Sequence, residues 1–203
     1  MRKIITDSIN TDIEPLRRLL KSIGQNEKTT EATGLTGAAR SFLVALLYER
    51  AEKSLLVICP EEKEAAAFAR DLTLFLGEEE VLYYPPLDFL AVDMFTLQKE
   101  EALARLEVLA ALQITPRAVV VAPLAAVAQK VMPFSEFQNY LQIISTGDSL
   151  PREEFCRKLI AGGYKNVGLV EEKGEFSLRG SIIDVFSPAE KNPVRMELFG
   201  DEV

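Results

Sequence analysis

The sequence predicts an α/β protein in two parts: a P-loop-like layer on a parallel sheet, with a degenerate nucleotide loop, then a small α+β domain with an antiparallel sheet. Three observations carry this reading. Short apolar runs closed by Pro or Gly alternate with runs of helical period through residue 132, the pattern of a doubly wound layer. Residues 34–41 read GLTGAARS and stand directly before one of the helical runs. Beyond Pro133 the period shortens toward two and turn residues crowd in, which sets domains at 1–132 and 133–203.

In the first domain, Ile13, Leu16, Leu19, Leu20 and Ile23 recur at helical spacing between Asp7 and Ile23, opposite Arg17, Arg18 and Lys21. A second helix is expected from Phe42 to Arg50, with Leu43, Leu46 and Leu47 facing in. Leu55 to Cys59 is continuously apolar and closed by Pro60, as expected of a parallel strand buried on both faces. Helical spacing returns from Glu61 to Leu76 and stops at Gly77. Val81 to Tyr84 reads as a strand halted by Pro85 and Pro86, and Leu97 to Leu112 as a long helix. Ala118 to Ala122 is the next buried strand, and Pro123 opens a helix over Leu124 to Val131. In the second domain Leu141 to Ile144 suggests a strand. Pro151 to Ala161 suggests a helix with Pro at its first position and Gly162-Gly163 as its stop. Val167 to Glu171, Glu175 to Arg179, Ser181 to Phe186 and Val194 to Phe199 complete the sheet.

Composition narrows the function. The 203 residues, 48% hydrophobic, suffice for a sizeable core. A formal net charge of −8 offers no basic field for a phosphate backbone, so direct nucleic-acid binding is not expected. The chain has no His, which removes the commonest general base and metal ligand. Cys59 and Cys156 lie far apart in apolar patterns and read as reduced, buried thiols, which favours the cytoplasm. No run reaches the roughly 20 apolar residues of a membrane span, and MRKIITDSIN lacks the form of a signal peptide.

The loop itself points to lost chemistry. A working P-loop, G-x-x-x-x-G-K-[ST], needs a second Gly where the backbone closes on phosphate, a Lys for the β- and γ-phosphates and a hydroxyl for Mg²⁺. Across Gly34, Gly37, Ala39, Arg40 and Ser41, only Gly34 and Ser41 match that pattern. Ala39 replaces the second Gly, and the planar fork of Arg40 replaces the compact ammonium. No cofactor, catalytic residue or metal ligand is therefore expected. Glu61, Glu62 and Glu64, Glu78 to Glu80, and Glu171 with Glu172 sit at helix ends or turns, where solvated acids belong.

In the last sheet, alternation puts Phe176 and Leu178 inward and Glu175, Ser177 and Arg179 outward. Val194, Met196 and Leu198 likewise share the core face, leaving Arg195, Glu197 and Phe199 outside. An aromatic beside Arg has the composition of a protein-binding hot spot. The alternative is that Phe199 starts a turn and tucks under the sheet edge. Asp184, an acid in an apolar strand, requires a nearby Arg or a backbone N–H as its partner.

The stretch GEFSLRGSIIDVFSPAEKNPVRMELFGDEV, Gly174 to Val203, resembles the GEF-x-x-RG-x-x-(L/I)-D-(L/V/I)-F-P…R-x-(D/E)-x-F-x-DE signature. That signature is shared by UvrB and by the UvrB-like N-terminal module of the bacterial transcription-repair coupling factors (Mfd). The degenerate loop is similar to the coupling factors' version, whereas UvrB keeps an intact one. YYPPLDFLAVDMF looks like the coupling factors' abbreviated counterpart of the UvrB aromatic hairpin. The resemblance implies an adaptor that binds UvrA, recruits nucleotide excision repair to stalled RNA polymerase and hydrolyses no ATP itself. It assigns UvrA binding to Arg179, Arg195 and Phe199, the two Arg pairing with acidic side chains and Phe199 filling an apolar pocket. It also implies a longer factor that is an ATP-dependent DNA translocase. There, other domains bind RNA polymerase and a C-terminal domain masks the UvrA surface. The chain ends at GDEV where the family sequence continues, so a truncated fragment is expected. The alternative is an N-terminal fragment of a UvrB-type or other P-loop ATPase that retains nucleotide binding, with Arg40 in place of Lys.

Overall fold

Residues 14–24, 29–51, 53–87 and 94–203 are described by a computed structural model. In chain order the elements are α1 (Glu14–Gly24), α2 (Ala38–Ala51), β1 (Leu55–Cys59), α3 (Glu62–Leu76), β2 (Val81–Tyr83), α4 (Met94–Ile114), β3 (Val119–Pro123), α5 (Leu124–Val127), α6 (Phe134–Phe137), α7 (Arg152–Ala161), β4 (Lys165–Asn166), β5 (Glu175–Arg179), β6 (Ile182–Phe186) and β7 (Val194–Glu197). Packing separates two units. The described residues within Met1–Leu87 and Ile114–Gln129 make one, and those within Asp88–Gln113 and Lys130–Val203 make the other.

The first unit is built on a parallel sheet of order β1-β3-β2, with Leu55 and Val81 both level with Val119. Connections through helices are what make these pairings parallel. Glu62 and Glu64 in the first turn of α3 suit the helix dipole. At its end Gly77, at φ 88°, turns the chain away while its N–H still donates to the Thr73 carbonyl at 2.8 Å, a conformation that glycine adopts without strain. Ala45 and Tyr48 of α2 and Ala65, Ala69, Leu72 and Leu76 of α3 pack on Cys59, Val119 and Val121. All three sheet residues lie on one face. The expectation that β1 is buried on both faces fails, since Leu56 and Ile58 are exposed. β1 is an edge strand whose core contacts lie on the Leu55, Val57 and Cys59 side, and only the central β3 is buried along most of its length. Among the described residues the layer is thus a parallel sheet whose hydrophobic core cluster gathers on one face.

One helix is shorter than its sequence period. Residues 7–13 of the predicted first helix lie outside the described residues, as do residues 88–93 of the hairpin-like stretch. The helix expected over 124–131 ends after one turn at Val127. There the Gln129 amide pairs with both the N–H and the carbonyl of Leu87, at 2.9 Å each, and draws the chain off the helical path.

The second unit holds a four-stranded sheet of order β4-β5-β6-β7. It is mixed rather than antiparallel: β4 runs parallel to β5, and the other pairs are antiparallel. Pairing with β5 involves Lys165 and Asn166 and ends with the Val167 N–H on the Phe176 carbonyl at 2.9 Å, after which the predicted strand 167–171 departs and side chains of β5 take the Gly168 carbonyl. Residues 141–144 are likewise irregular, because alternation alone provides no neighbouring ladder. Leu150, Phe155, Leu159, Phe176, Ile183, Val185, Met196 and Leu198 form the core. Helix α4 is tied to this unit by Lys173, whose Nζ reaches Glu107 at 3.1 Å and the Pro188 carbonyl at 2.9 Å.

Candidate functional site

The outer face of the second sheet is set by register. Ser177, Asp184 and Arg195 stand in one cross-strand row, and Arg179, Ile182 and Glu197 stand in the next. Arg179 and Arg195 therefore share a face on β5 and β7, with β6 between them. Asp184 accepts two hydrogen bonds from Arg195, Nε to Oδ1 at 2.6 Å and Nη2 to Oδ2 at 2.9 Å. These bonds hold the Asp184 carboxyl below its usual pKa despite burial, and hold Arg195 above its own. The acid that the sequence marked as needing a partner has found it across the strand.

Arg179 is anchored differently. Its Nη2 donates to the Gly168 carbonyl, and through space its charge helps to lower the Asp184 pKa, as a smaller contribution than that of Arg195. The same carbonyl lies 3.5 Å from the Ser177 hydroxyl, and Ser177 is only 2% exposed. Ser177 was expected outside and Leu178 inside. The segment around Gly168 covers this end of the outer face, while Leu178, next to the hairpin turn, is 38% exposed. Val194, also expected in the core, is exposed at the start of the edge strand β7.

Phe199 lies past the end of β7. Its N–H donates to the Glu202 carbonyl at 2.8 Å and Glu202 N–H returns to its carbonyl at 3.2 Å, closing a turn around Gly200 at φ 67°. The side chain does not tuck under the sheet edge. It is 90% exposed, a large apolar surface near the outward charged groups Arg179, Arg195 and Glu197.

In the loop at 34–41 the Arg40 guanidinium and the Ser41 hydroxyl are engaged by protein partners. Gly34 and Gly37 adopt φ 79° and 53°, and α2 begins at Ala38. Ala39 and Arg40 N–H groups are turned to the Thr36 and Gly37 carbonyls. Arg40 Nη1 is 2.6 Å from Glu64 Oε1, and its guanidinium lies 6.0 Å from the centre of the Phe68 ring. The Ser41 hydroxyl is buried and donates to the Ala38 carbonyl at 3.1 Å. Residues 29–33 form no strand, so the strand, loop and helix frame of a working P-loop is not seen among the described residues.

The UvrB interaction domain family matches residues 143–203. Over 97% of its length the chain is 30% identical to the transcription-repair-coupling factor of Bacillus subtilis (strain 168). Over 89% it is 35% identical to that of Myxococcus xanthus, and over 87% it is 31% identical to that of Staphylococcus aureus (strain USA300). The chain belongs to the transcription-repair-coupling factor family. It spans 17%, 15% and 15% of the lengths of those three relatives.

Within this coupling-factor chain the family match covers β4 to β7 and the turn of Phe199, so all three sequence-predicted surface residues lie inside the matched domain. Sequence reasoning missed the Gly168 carbonyl as the seat of Arg179, since nothing in a sequence signals a backbone acceptor eleven residues away. Among the described residues there is no group of three or more His, Cys, Asp or Glu able to hold a metal. Cys59 is buried and Cys156 half-buried, both are free, and burial raises both thiols above their ordinary pKa. Among the described residues no helix is long and apolar enough to cross a membrane.

Proposed function

We propose that this chain is an adaptor module that binds UvrA through Arg179, Arg195 and Phe199 and carries out no chemistry of its own. Through it a coupling factor recruits nucleotide excision repair to RNA polymerase stalled at damage. The observation that carries this reading is the outer face of a UvrB interaction domain presenting Arg179 on β5 and Arg195 on the edge strand β7, with a 90% exposed Phe199 just past the end of β7. Exposed aromatic and Arg side chains together are the composition of energetic hot spots at protein interfaces. In this reading the loop at 34–41 is a degenerate nucleotide site kept as scaffold, which the Arg40–Glu64 pair and the buried Ser41 hydroxyl support. Residues 133–203 act as the binding domain and 1–132 as its support. RNA polymerase is engaged by other parts of the longer factor, whose C-terminal domain masks this surface, and the setting is the bacterial cytoplasm.

The test is UvrA affinity. Arg195→Ala and Phe199→Ala each weaken binding by about 2 kcal/mol or more, roughly thirtyfold, as hot-spot truncations do. Because Phe199 is exposed, its variant keeps the wild-type unfolding temperature. Unchanged affinity for both variants in a titration against UvrA sinks the assignment.

A further inference from the structure

We propose that Asp184 is a positioning residue, which seats Arg195 side-on and presents the remaining edge of its guanidinium as a ready fork for one carboxylate of the partner. The inference rests on the UvrA reading above and specifies how that surface recognises an acid.

The geometry begins with donor counting. An Arg guanidinium has five N–H groups in a planar fork. Asp184 takes the Nε–H and one Nη2–H, at 2.6 and 2.9 Å. Both Nη1–H groups and the second Nη2–H remain, with no partner among the described residues. Those groups include the whole Nη1/Nη2 edge, whose spacing matches the two oxygens of a carboxylate. Arg195 is thus engaged along one edge and open along the adjacent one.

Burial makes the arrangement directional. The Asp184 side chain is 14% exposed and the Arg195 side chain 65% exposed. The acid sits at sheet level on the middle strand β6, and the guanidinium reaches over it from the edge strand β7. A long side chain held in this way loses less rotamer freedom on binding than a free one. Asp184 also cancels much of the Arg195 charge, so this site contributes directed hydrogen bonds more than long-range attraction. Arg179, on the same face, is hydrogen-bonded to a neutral carbonyl and feels Asp184 only through space, so it carries more of the steering charge. A single carboxylate fits the open edge. A polyanion does not suit a chain of net charge −8.

The experiment measures UvrA affinity of the 203-residue chain as wild type, D184N, D184A, R195A, R195K and D184A/R195A. Thermal unfolding of each is followed in parallel, and the Arg195 Nε–H resonance is recorded in the free chain. D184N is expected to weaken binding at least about fivefold, the size of coupling between contacting residues. The double variant binds no worse than R195A, and R195K rescues little, because an ammonium cannot serve two carboxylates in one plane. In the free wild type the Arg195 Nε–H is protected from exchange, and D184N abolishes that protection. Wild-type affinity in D184N, or an Asp184 effect of equal size in the R195A background, overturns the positioning role while leaving UvrA as the partner. Equal Nε–H protection in wild type and D184N overturns it without reference to binding. A wild-type chain that fails to bind UvrA at all overturns the partner assignment and this proposal with it.

Discussion

Arg179 and Arg195 lie one row apart on the same sheet face, yet their surroundings give them different work. Arg195 is bonded directly to the Asp184 carboxylate, whereas Arg179 is bonded to a backbone carbonyl and meets that carboxylate only through space, so the acid offsets the charge of Arg195 more than that of Arg179. The pair also has a pH signature. Asp184 is held below its ordinary pKa by the Arg195 hydrogen bonds, whereas in the unfolded chain it titrates near ~3.9. The native state therefore binds fewer protons than the unfolded state between these values, and the stabilisation from the pair is lost as pH falls through them. Urea unfolding of wild type against D184N is expected to show its full gap near neutral pH, a shrinking gap below about pH 5 and none at pH values beneath the folded pKa. A gap constant down to the lowest pH would show that the stability difference arises elsewhere. The need of Asp184 for a partner was legible in the apolar strand SIIDVF, but its identity was not. Cross-strand register, not sequence distance, brings Arg195 opposite.

The β5–β6 hairpin is the element that holds the surface in shape. Arg179 pairs with Ile182 across a two-residue turn, with Gly180 at φ 62°, and the Gly180 carbonyl accepts a hydrogen bond from Arg152 Nη1 at 3.1 Å. An added Cβ at Gly180 meets nothing within 4 Å, so a substitution there is opposed by backbone conformation alone. Gly180→Ala is expected to destabilise the chain by about 1–2 kcal/mol, the usual penalty of a left-handed L-residue, measured by urea unfolding. A neutral result would mean that the turn relaxes to another type. Elements with strong local signals were readable from sequence: the period of α3 and α7, the Pro and Gly that bound them, and the alternation of β5 to β7. Residues 141–144 and 167–171 carried strand-like patterns without becoming strands. A strand needs a neighbour's ladder, and the second segment keeps one backbone bond to β5, from the Val167 N–H to the Phe176 carbonyl, before β5 side chains take the Gly168 carbonyl.

For the molecule as a whole, the question is whether the first unit keeps any nucleotide chemistry. Arg40 is paired with Glu64, and the Ser41 hydroxyl is buried against its own helix. Calorimetric titration with Mg-ATP is therefore expected to show no saturable binding. Arg40→Lys alone is expected not to restore it, because Ala39 still blocks the backbone approach and Glu64 remains to pair with the new ammonium. Saturation in the micromolar range that Ser41→Ala abolishes would overturn the scaffold reading. Period and residue chemistry were enough to read the alternation of helices and apolar strands and the outward placing of Arg179, Arg195 and Phe199. Each of those follows from period and residue chemistry within a few neighbours. That β1 is a half-exposed edge, that the second sheet is mixed, that Ser177 is covered and that Asp184 holds Arg195 follow from long-range packing. These depend on which distant strand or carbonyl arrives alongside, and local pattern carries no record of that arrival.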